Sequence, residues 1–192
     1  DNCITKKPIT KDNWRMLTML ANQAGLAIEN SQLYEKTVMQ AHMDSLTELW
    51  NHGFFQFTLQ AELETAKATS SHLSLIMLDI DDFKIYNDAL GHQAGDRALK
   101  ELAQLLKNQS RKMDYVCRYG GEEMVIIFSF TNFEGVYNAA QRLLKRVEEH
   151  NFGSSEHPFK FTISIGLLTV DNKDNINVDS LFHALDKQLY EA

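Results

Sequence analysis

The sequence is poor in the residues that cross-link, break or anchor a chain. Only two of its 192 residues are cysteine and two are proline. Cys3 and Cys117 are too few for a disulfide framework or a cysteine-rich metal site, which favours a reducing, cytoplasmic compartment. The low glycine and proline content also excludes collagen-like and linker-like chains.

Long apolar runs are missing as well. No run reaches the roughly 20 residues that a membrane-spanning helix needs, so we expect no membrane segment in this sequence. The first residue is Asp1 rather than methionine, which suggests a piece of a longer protein. The part upstream of Asp1 is free to carry a membrane anchor.

Basic charge is in deficit, since the formal net charge is −7. A duplex-DNA-binding protein needs a basic face that displaces counterions, so this class of function is excluded. An acidic chain can still bind a nucleotide, because a bound Mg²⁺ brings phosphate groups to carboxylates. The hydrophobic content of 44% predicts a folded globular domain rather than a disordered chain.

Residues 12–41 predict one long helix, because apolar or small residues recur at alternating steps of three and four. The positions are Leu17, Leu20, Ala24, Ala27, Ser31, Tyr34, Val38 and Ala41. This is a weak heptad seam, and two interpretations stay open. The helix is either a surface helix packed on its own domain or a parallel coiled-coil stalk that joins two protomers.

Residues 42–192 alternate between helical and strand patterns. The order predicts an α/β (α+β) fold with a mixed, largely antiparallel central sheet flanked by helices. We expect Gly95 to break the chain before a helix, and Gly120-Gly121 to form a two-residue hairpin turn. The helices are predicted at 54–69, 82–90, 96–108, 132–150 and from 178 to the end, and the strands at 73–80, 115–119, 124–128 and 159–169.

Acidic residues collect at the ends of two predicted strands. Asp79 and Asp81 close the first strand on one face, because side chains alternate along a strand. Glu122 and Glu123 follow the predicted turn of the hairpin. If the hairpin lies beside that strand, these oxygens converge on one point, which suits Mg²⁺ or Mn²⁺. A solvated acidic strand end, without any metal, is the alternative.

Five ordered motifs then carry a family resemblance. The segment Arg118-Tyr-Gly-Gly-Glu-Glu-Met124 resembles the signature of the GGDEF family of diguanylate cyclases, in its GGEEF form with Met124 in place of Phe. The other four motifs lie at 44–51, 78–88, 90–96 and 162–166, in the order that the family shows. The resemblance covers residues 42–192. It implies a palm-like nucleotidyl cyclase fold whose C-terminal end is truncated here.

The resemblance also implies roles for particular residues. Glu122 and Glu123 would be the catalytic acids, and the metal ligands for two Mg²⁺ (or Mn²⁺) ions per active site would be Asp79, Glu122 and the carbonyl of Ile80. The substrate GTP would be bound by Phe83 and Lys84 at its phosphates, by Asn87 and Asp96 at its guanine edge, and beside the open backbone of Gly120 and Gly121.

The implied activity is the condensation of two GTP molecules into cyclic di-GMP and pyrophosphate across a homodimer. The stalk would then decide whether two half-sites meet. Arg111 and Asp114 have the R-x-x-D spacing of the family's inhibitory product site, although a surface salt bridge is the alternative. Other functions stay open: a silent receptor for GTP or cyclic di-GMP, a cyclase with relaxed base choice, and a dimerising scaffold.

The predicted N-terminal helix carries a second, shorter resemblance. Its Ala27-Ile28, Asn30 and Leu33-Tyr34 match the end of the closing helix of a GAF sensory domain. This implies that residues 1–41 are the C-terminal helix of a GAF-like domain and act as a signalling linker.

Overall fold

The computed structural model describes residues 10–154, 157–171 and 178–190. The chain divides into two compact units, residues 1–41 and 42–192, each of which is described by itself. Two details of the sequence predictions, Cys3 and the final two residues of the last helix, lie outside the described residues.

The first unit is formed by helix α1 (Lys11–His42), which confirms the predicted long helix. Its large apolar side chains are exposed, among them Leu17, Leu20 and Tyr34 of the predicted seam, which are 52%, 53% and 72% exposed. A helix in water gains most of its stability from packing an apolar face. The seam of α1 is therefore left uncovered within this unit. Within the described residues, no helix is long and apolar enough to cross a membrane.

The second unit is a four-stranded antiparallel sheet in the order β2-β3-β1-β6, with helices on both faces. This confirms the predicted fold class. The helices are α2 (His52–Thr69), α3 (Phe83–Leu90), α4 (His92–Gln109), α5 (Phe133–Glu149) and α6 (Val178–Tyr190). The strands are β1 (Leu73–Ile80), β2 (Tyr115–Gly120), β3 (Glu123–Ser129), β4 (Phe152–Ser154), β5 (His157–Phe159) and β6 (Ile163–Val170).

Strand β1 is the centre of the sheet, because β3 and β6 both pair with it. Its side chains alternate between two cores. Ile76 and Leu78 join the core under α4 and α5, whereas Leu75 and Met77 join the core under α2 and α6. All four side chains are at most 1% exposed. Because β1 is buried on both faces, its sequence is a nearly continuous apolar run.

The hairpin turn lies one residue later than predicted. Gly120 pairs with Glu123, so the two turn residues are Gly121 and Glu122 rather than Gly120 and Gly121. The reason is a bulge: the register shifts between Arg118 and Gly120, which extends β2 by one residue. Of Gly120 and Gly121, only Gly121 has a positive φ, of 47°.

Gly95 does not break the chain, as the sequence predicted, but lies inside α4. Its small size serves the packing of α4 against α3. A Cβ atom at Gly95 would lie 1.9 Å from Oδ1 of Asn87 and 3.1 Å from Cζ of Phe83. The glycine is therefore required by a close contact, not by a turn.

The strand prediction for 159–169 was wrong at its start. β6 begins at Ile163, and Phe159 belongs to the separate two-stranded hairpin of β4 and β5, which the sequence reasoning missed. Both strands of this hairpin have only three residues, which is too short for a period-two pattern to be seen. Phe152 and Phe161 stack at 3.9 Å and attach the hairpin to the core.

Gly166 lets helix α6 lie directly on β6. A Cβ atom there would lie 2.6 Å from the backbone nitrogen of Leu189 and 2.9 Å from the carbonyl oxygen of Leu185. Backbone atoms cannot swing away as a flexible side chain can, so the two elements would have to separate.

We therefore expect Gly166→Ala to lower the free energy of unfolding by about 1–3 kcal/mol, the usual cost of overpacking. Denaturant unfolding of the purified chain measures this value. The control is Gly53→Ala, where a Cβ would meet Oδ1 of Asn51 at an ordinary 3.5 Å. Equal stability of the two variants would contradict the proposed contact.

Candidate active site

Three carboxylates act electrostatically on Asp79 where the central strand ends. Leu78 pairs with Met124, which brings the next residue, Asp79, beside the start of β3 and its Glu122-Glu123 pair. The negative charges of Glu122, Glu123 and Asp81 each act on Asp79. The acidic strand end and the acidic hairpin are therefore neighbours in the fold, and their convergence on one bound cation stays a prediction.

The pKa of Asp79 records this crowding. Burial, followed by the negative charges of Glu122, Glu123 and Asp81, raises it from an ordinary 3.8 to about 6. Desolvation and like charge both disfavour the ionised form. The charges that act on Asp79 in this cluster are all negative. A bound cation would relieve their repulsion.

Asp81 shares the face of Asp79, as strand alternation predicted. Its carboxylate accepts hydrogen bonds from the hydroxyl groups of Thr162 and Ser164, the latter at 2.7 Å. Ser164 is also the register partner of Asp79 on β6. The hydroxyl groups orient Asp81, so strand β6 supports the cluster from the side opposite to the hairpin.

The oxygen atoms at this corner suit a hard divalent cation, but they are too few to complete its coordination shell. Asp79, Glu122 and the carbonyl of Ile80 supply oxygens, and Mg²⁺ prefers such ligands. Within the described part of the chain, no three acidic, histidine or cysteine side chains stand together as a ready ligand group. Mg²⁺ usually keeps several waters and shares substrate phosphates, so two carboxylates and a carbonyl fit this ion.

Helix α3 starts beside the cluster and presents its N-terminus there. Asp82 precedes it in the left-handed conformation, with φ 57° and ψ 25°, and its carbonyl accepts the first helical bond from Tyr86. The N–H groups of Phe83 and Lys84 lie before that bond, where helical N–H groups are unsatisfied and attract anions. The Lys84 side chain is exposed and the ring of Phe83 is buried.

The two predicted guanine-binding residues lie on neighbouring helices. Asn87 is on α3 and Asp96 is on α4, immediately after Gly95, which the Asn87 side chain contacts. The contact places the amide of Asn87 next to the first turn of α4. Asp96 is exposed to solvent, as a residue that accepts hydrogen bonds from a ligand would be.

The glycines of the hairpin leave open space. Among the described residues, no atom outside their own neighbours lies within 4 Å of a Cβ placed on Gly120 or Gly121. A ligand can therefore approach the backbone there. Met124, by contrast, is fully buried in the sheet, so its side chain packs in the core.

One arginine of the signature received no role from the sequence. The guanidinium of Arg118 donates from Nη1 to the carboxylate of Asp44 at 2.9 Å. Its Nε and Nη2 donate to the carbonyl oxygen of Gly121 at 3.1 and 2.8 Å. Asp44 lies in the motif at 44–51 and Arg118 lies in the signature at 118–124. Only the folded chain brings these two motifs together.

Arg111 and Asp114 form an ion pair with each other. Nη2 of Arg111 donates to Asp114 at 2.8 Å and to Oγ1 of Thr131 at 2.7 Å, and the backbone N–H of Arg111 donates to Asp114 at 2.7 Å. The Asp114 side chain is 1% exposed, whereas that of Arg111 is 52% exposed. The Arg111 side chain is therefore partly open to solvent, and the buried Asp114 carboxylate accepts the hydrogen bonds that orient it.

The fold and the site together define the class: an antiparallel α+β domain with an acidic hairpin turn beside an acidic strand end. The family described as "Diguanylate cyclase, GGDEF domain" matches residues 41–192. The chain therefore belongs to the GGDEF family, as the ordered motifs predicted.

Named relatives agree with this assignment. The chain is 36% identical over 176 residues to diguanylate cyclase A of Treponema denticola, which covers 90% of this chain and 46% of the relative. It is 34% identical over 164 residues to diguanylate cyclase DgcS of Shewanella oneidensis, covering 85% of this chain and 53% of the relative. The chain thus spans about half the length of these relatives.

A solved structure shows the same fold. It is the coiled coil and GGDEF domain of DgcB from Caulobacter crescentus in complex with c-di-GMP. The TM-score is 0.81 at 24% identity, and the similarity covers 91% of this chain and 92% of that one. The long N-terminal helix and the sheet of the present chain therefore follow a known architecture.

The raised pKa of Asp79 predicts that the ionised carboxylate lowers the stability of the fold when no metal is bound, and that a bound metal restores this stability. Between about pH 4 and 6 the folded state binds the proton more tightly than the unfolded chain, so stability from this group falls as the pH rises through that window. We expect Asp79→Asn to raise the unfolding temperature at about pH 7.5 without metal. The gain shrinks at about pH 5, where Asp79 is protonated.

Thermal unfolding at the two pH values, with and without Mg²⁺, measures both effects. Added Mg²⁺ stabilises the parent chain and leaves Asp79→Asn unchanged. Asp88→Asn is the control, because Asp88 is an exposed carboxylate on α3. A stability gain from Asp79→Asn that is the same at both pH values would contradict the electrostatic origin.

Proposed function

We propose that this chain is the catalytic domain of a diguanylate cyclase, which condenses two GTP molecules into cyclic di-GMP with 3′,5′ linkages and releases two pyrophosphates. The observation that carries the proposal is the convergence of Asp79 with Glu122 and Glu123 beside the N-terminus of α3. Membership of the GGDEF family and the names of the relatives support it. We propose a cytoplasmic location for this reaction, since its substrate is GTP.

Each protomer binds one GTP through one set of groups at its phosphates and another at its guanine edge. The N–H of Phe83 and the ammonium of Lys84 hold the terminal phosphates, as a helix N-terminus and a cation suit such anions. Asn87 and Asp96 hydrogen-bond the guanine edge. A carboxylate accepts from both N1–H and N2–H₂ of guanine, whereas adenine offers no such pair of donors, so the carboxylate would lose these hydrogen bonds with the wrong base.

The reaction joins the two half-sites. The 3′-hydroxyl of one GTP attacks the α-phosphorus of the other in line, a P–O bond forms, and the bond to pyrophosphate breaks. Two Mg²⁺ (or Mn²⁺) ions supply activation of the hydroxyl and stabilisation of the α-phosphate charge when they are bound. Asp79, Glu122 and the carbonyl of Ile80 would hold them, with Glu123 beside them. The same transfer, repeated with the roles exchanged, closes the ring.

Such a reaction requires two protomers with facing sites. The exposed seam of α1 supports a homodimer joined through a helical stalk, since a coiled coil would bury the residues that are uncovered in one chain. The resemblance of residues 14–34 to a GAF closing helix supports a role of this stalk as a signalling linker. The register of the stalk then sets how often two half-sites meet.

A GTP or cyclic di-GMP receptor without turnover is the second candidate. The pair Arg111–Asp114 favours it, because an exposed arginine held by a buried carboxylate can bind a product phosphate in a catalytically silent domain too. The intact cluster of Asp79, Glu122 and Glu123 favours the cyclase.

Turnover with GTP and Mg²⁺, with the products resolved by mass, decides between the candidates. We expect cyclic di-GMP and pyrophosphate, and a loss of at least about 100-fold in Glu122→Gln, since this variant removes one metal-binding charge. Specific activity also falls on dilution as the dimer dissociates. Binding of GTP without product at high protein concentration would favour the receptor, and full specific activity of a monomer would refute the facing half-sites.

We also propose that cyclic di-GMP inhibits the enzyme by binding at Arg111. The guanidinium is held by Asp114 and Thr131 and keeps about half of its side chain open to solvent. Planar, charge-assisted donors of this kind suit phosphate and the Hoogsteen edge of guanine.

Arg111→Ala tests this site. We expect the concentration of added cyclic di-GMP that halves the initial rate to rise at least about tenfold, since one charge-assisted bidentate contact is lost. The control is Lys145→Ala, which removes a cation that is 75% exposed on α5. Equal inhibition of the parent chain and Arg111→Ala would contradict the inhibitory site.

A further inference from the structure

Arg118 holds the peptide that precedes the acid of the hairpin turn. Its Nε and Nη2 both donate to the carbonyl oxygen of Gly121. That carbonyl belongs to the peptide unit whose nitrogen is the N–H of Glu122. A peptide unit is planar. Fixing the direction of the Gly121 carbonyl therefore also fixes the direction of the N–Cα bond of Glu122.

The turn has little else to fix this direction. Gly121 has a φ of 47° and carries no side chain, and a Cβ there would meet nothing among the described residues within 4 Å. Glycine is the residue with the widest conformational freedom. Two hydrogen bonds from a charged group to one carbonyl therefore restrain a peptide that its own sequence leaves free.

Asp44 fixes the arginine in turn. It accepts from Nη1 of Arg118 at 2.9 Å, and from the backbone N–H and hydroxyl of Thr47 at 2.9 and 2.7 Å. Burial alone would raise its pKa, but the hydrogen bonds from Thr47 and Arg118 outweigh this and hold the pKa below the ordinary value. The pair is mostly buried, with the side chains of Arg118 and Asp44 only 16% and 22% exposed.

The backbone around this pair is also held. The N–H of Arg118 donates to the carbonyl of Trp50 at 2.7 Å, and the N–H of Asp44 donates to the carbonyl of Leu49 at 2.8 Å. Trp50 forms isolated bridges to Met43 and to Cys117 of β2. The segment 43–51 thus covers the free edge of β2 and keeps Asp44 opposite the arginine.

We infer that Arg118 is a positioning residue for the metal-binding acid Glu122, and that Asp44 with Thr47 is the anchor that holds Arg118 in place. The inference rests on the metal site of the proposed function and assigns the signature arginine a role outside the ligand shell. Groups that orient ligands commonly change metal affinity or activity by about 10–100-fold when they are replaced.

The test measures metal binding as well as turnover, on the full chain. Mn²⁺ is titrated by electron paramagnetic resonance in the presence of a non-hydrolysable GTP analogue, for the parent chain, Arg118→Lys and Asp44→Asn. Lysine keeps the charge but cannot reach Asp44 and the Gly121 carbonyl together with a planar fork. We expect Mn²⁺ affinity to fall about tenfold in both variants, with the unfolding temperature in the absence of metal recorded in parallel.

Arg146→Lys is the matched control, because Arg146 forms an exposed pair with Glu149 at 4.0 Å. It should bind Mn²⁺ as the parent chain does. Non-additive losses in the double variant Arg118→Lys/Asp44→Asn would support one coupled unit, since residues that act through each other do not contribute independently. An unchanged Mn²⁺ affinity in folded Arg118→Lys would overturn the inference, as would a loss that tracks the unfolding temperature alone.

The design separates this inference from the proposed activity. A parent chain that binds Mn²⁺ with the analogue but makes no cyclic di-GMP would refute the cyclase, and a weaker Mn²⁺ affinity of Arg118→Lys would still support the positioning role. A parent chain that binds no Mn²⁺ would refute the metal site and the inference together.

Discussion

The pairing of strand β1 with neighbours on both sides is the constraint on which the rest of the domain depends. Because β3 and β6 are both antiparallel to it, β1 is buried on both faces and its register with each neighbour is specified by the two cores. A slip of one residue would move its apolar side chains to the wrong core. The same register decides that Asp79 emerges between the acidic hairpin turn and Ser164.

The candidate site is built from arrangements that cost stability. Burial, together with three nearby carboxylates, raises the pKa of Asp79 to about 6. Asp82 adopts a left-handed conformation that side chains other than glycine seldom occupy. Such strain and repulsion persist only where the surrounding structure over-determines them, and here the sheet on one side and helix α3 on the other do so. A bound cation would relieve the repulsion among the carboxylates.

Particular residues show how far the sequence could lead. The strong apolar run of β1 and the order of the longer elements were readable, because they depend on local patterns. The hairpin was also readable, but its turn lies one residue later, since the bulge after Arg118 is a property of paired strands. Gly95 was misread as a break because a glycine inside a helix looks the same whether it ends the helix or admits the Asn87 side chain.

The sequence by itself determined the fold class, the family and the identity of the acids, because each of these is written in residue types and spacings along the chain. Only the tertiary structure decided which groups support those acids. Asp44 and Arg118 are 74 residues apart, and Asp81 and Ser164 are 83 apart, so no local pattern relates them. The first of these hydrogen bonds depends on the packing of segment 43–51 against β2, and the second depends on the pairing of β1 with β6. Both are settled by the burial of side chains from the whole domain.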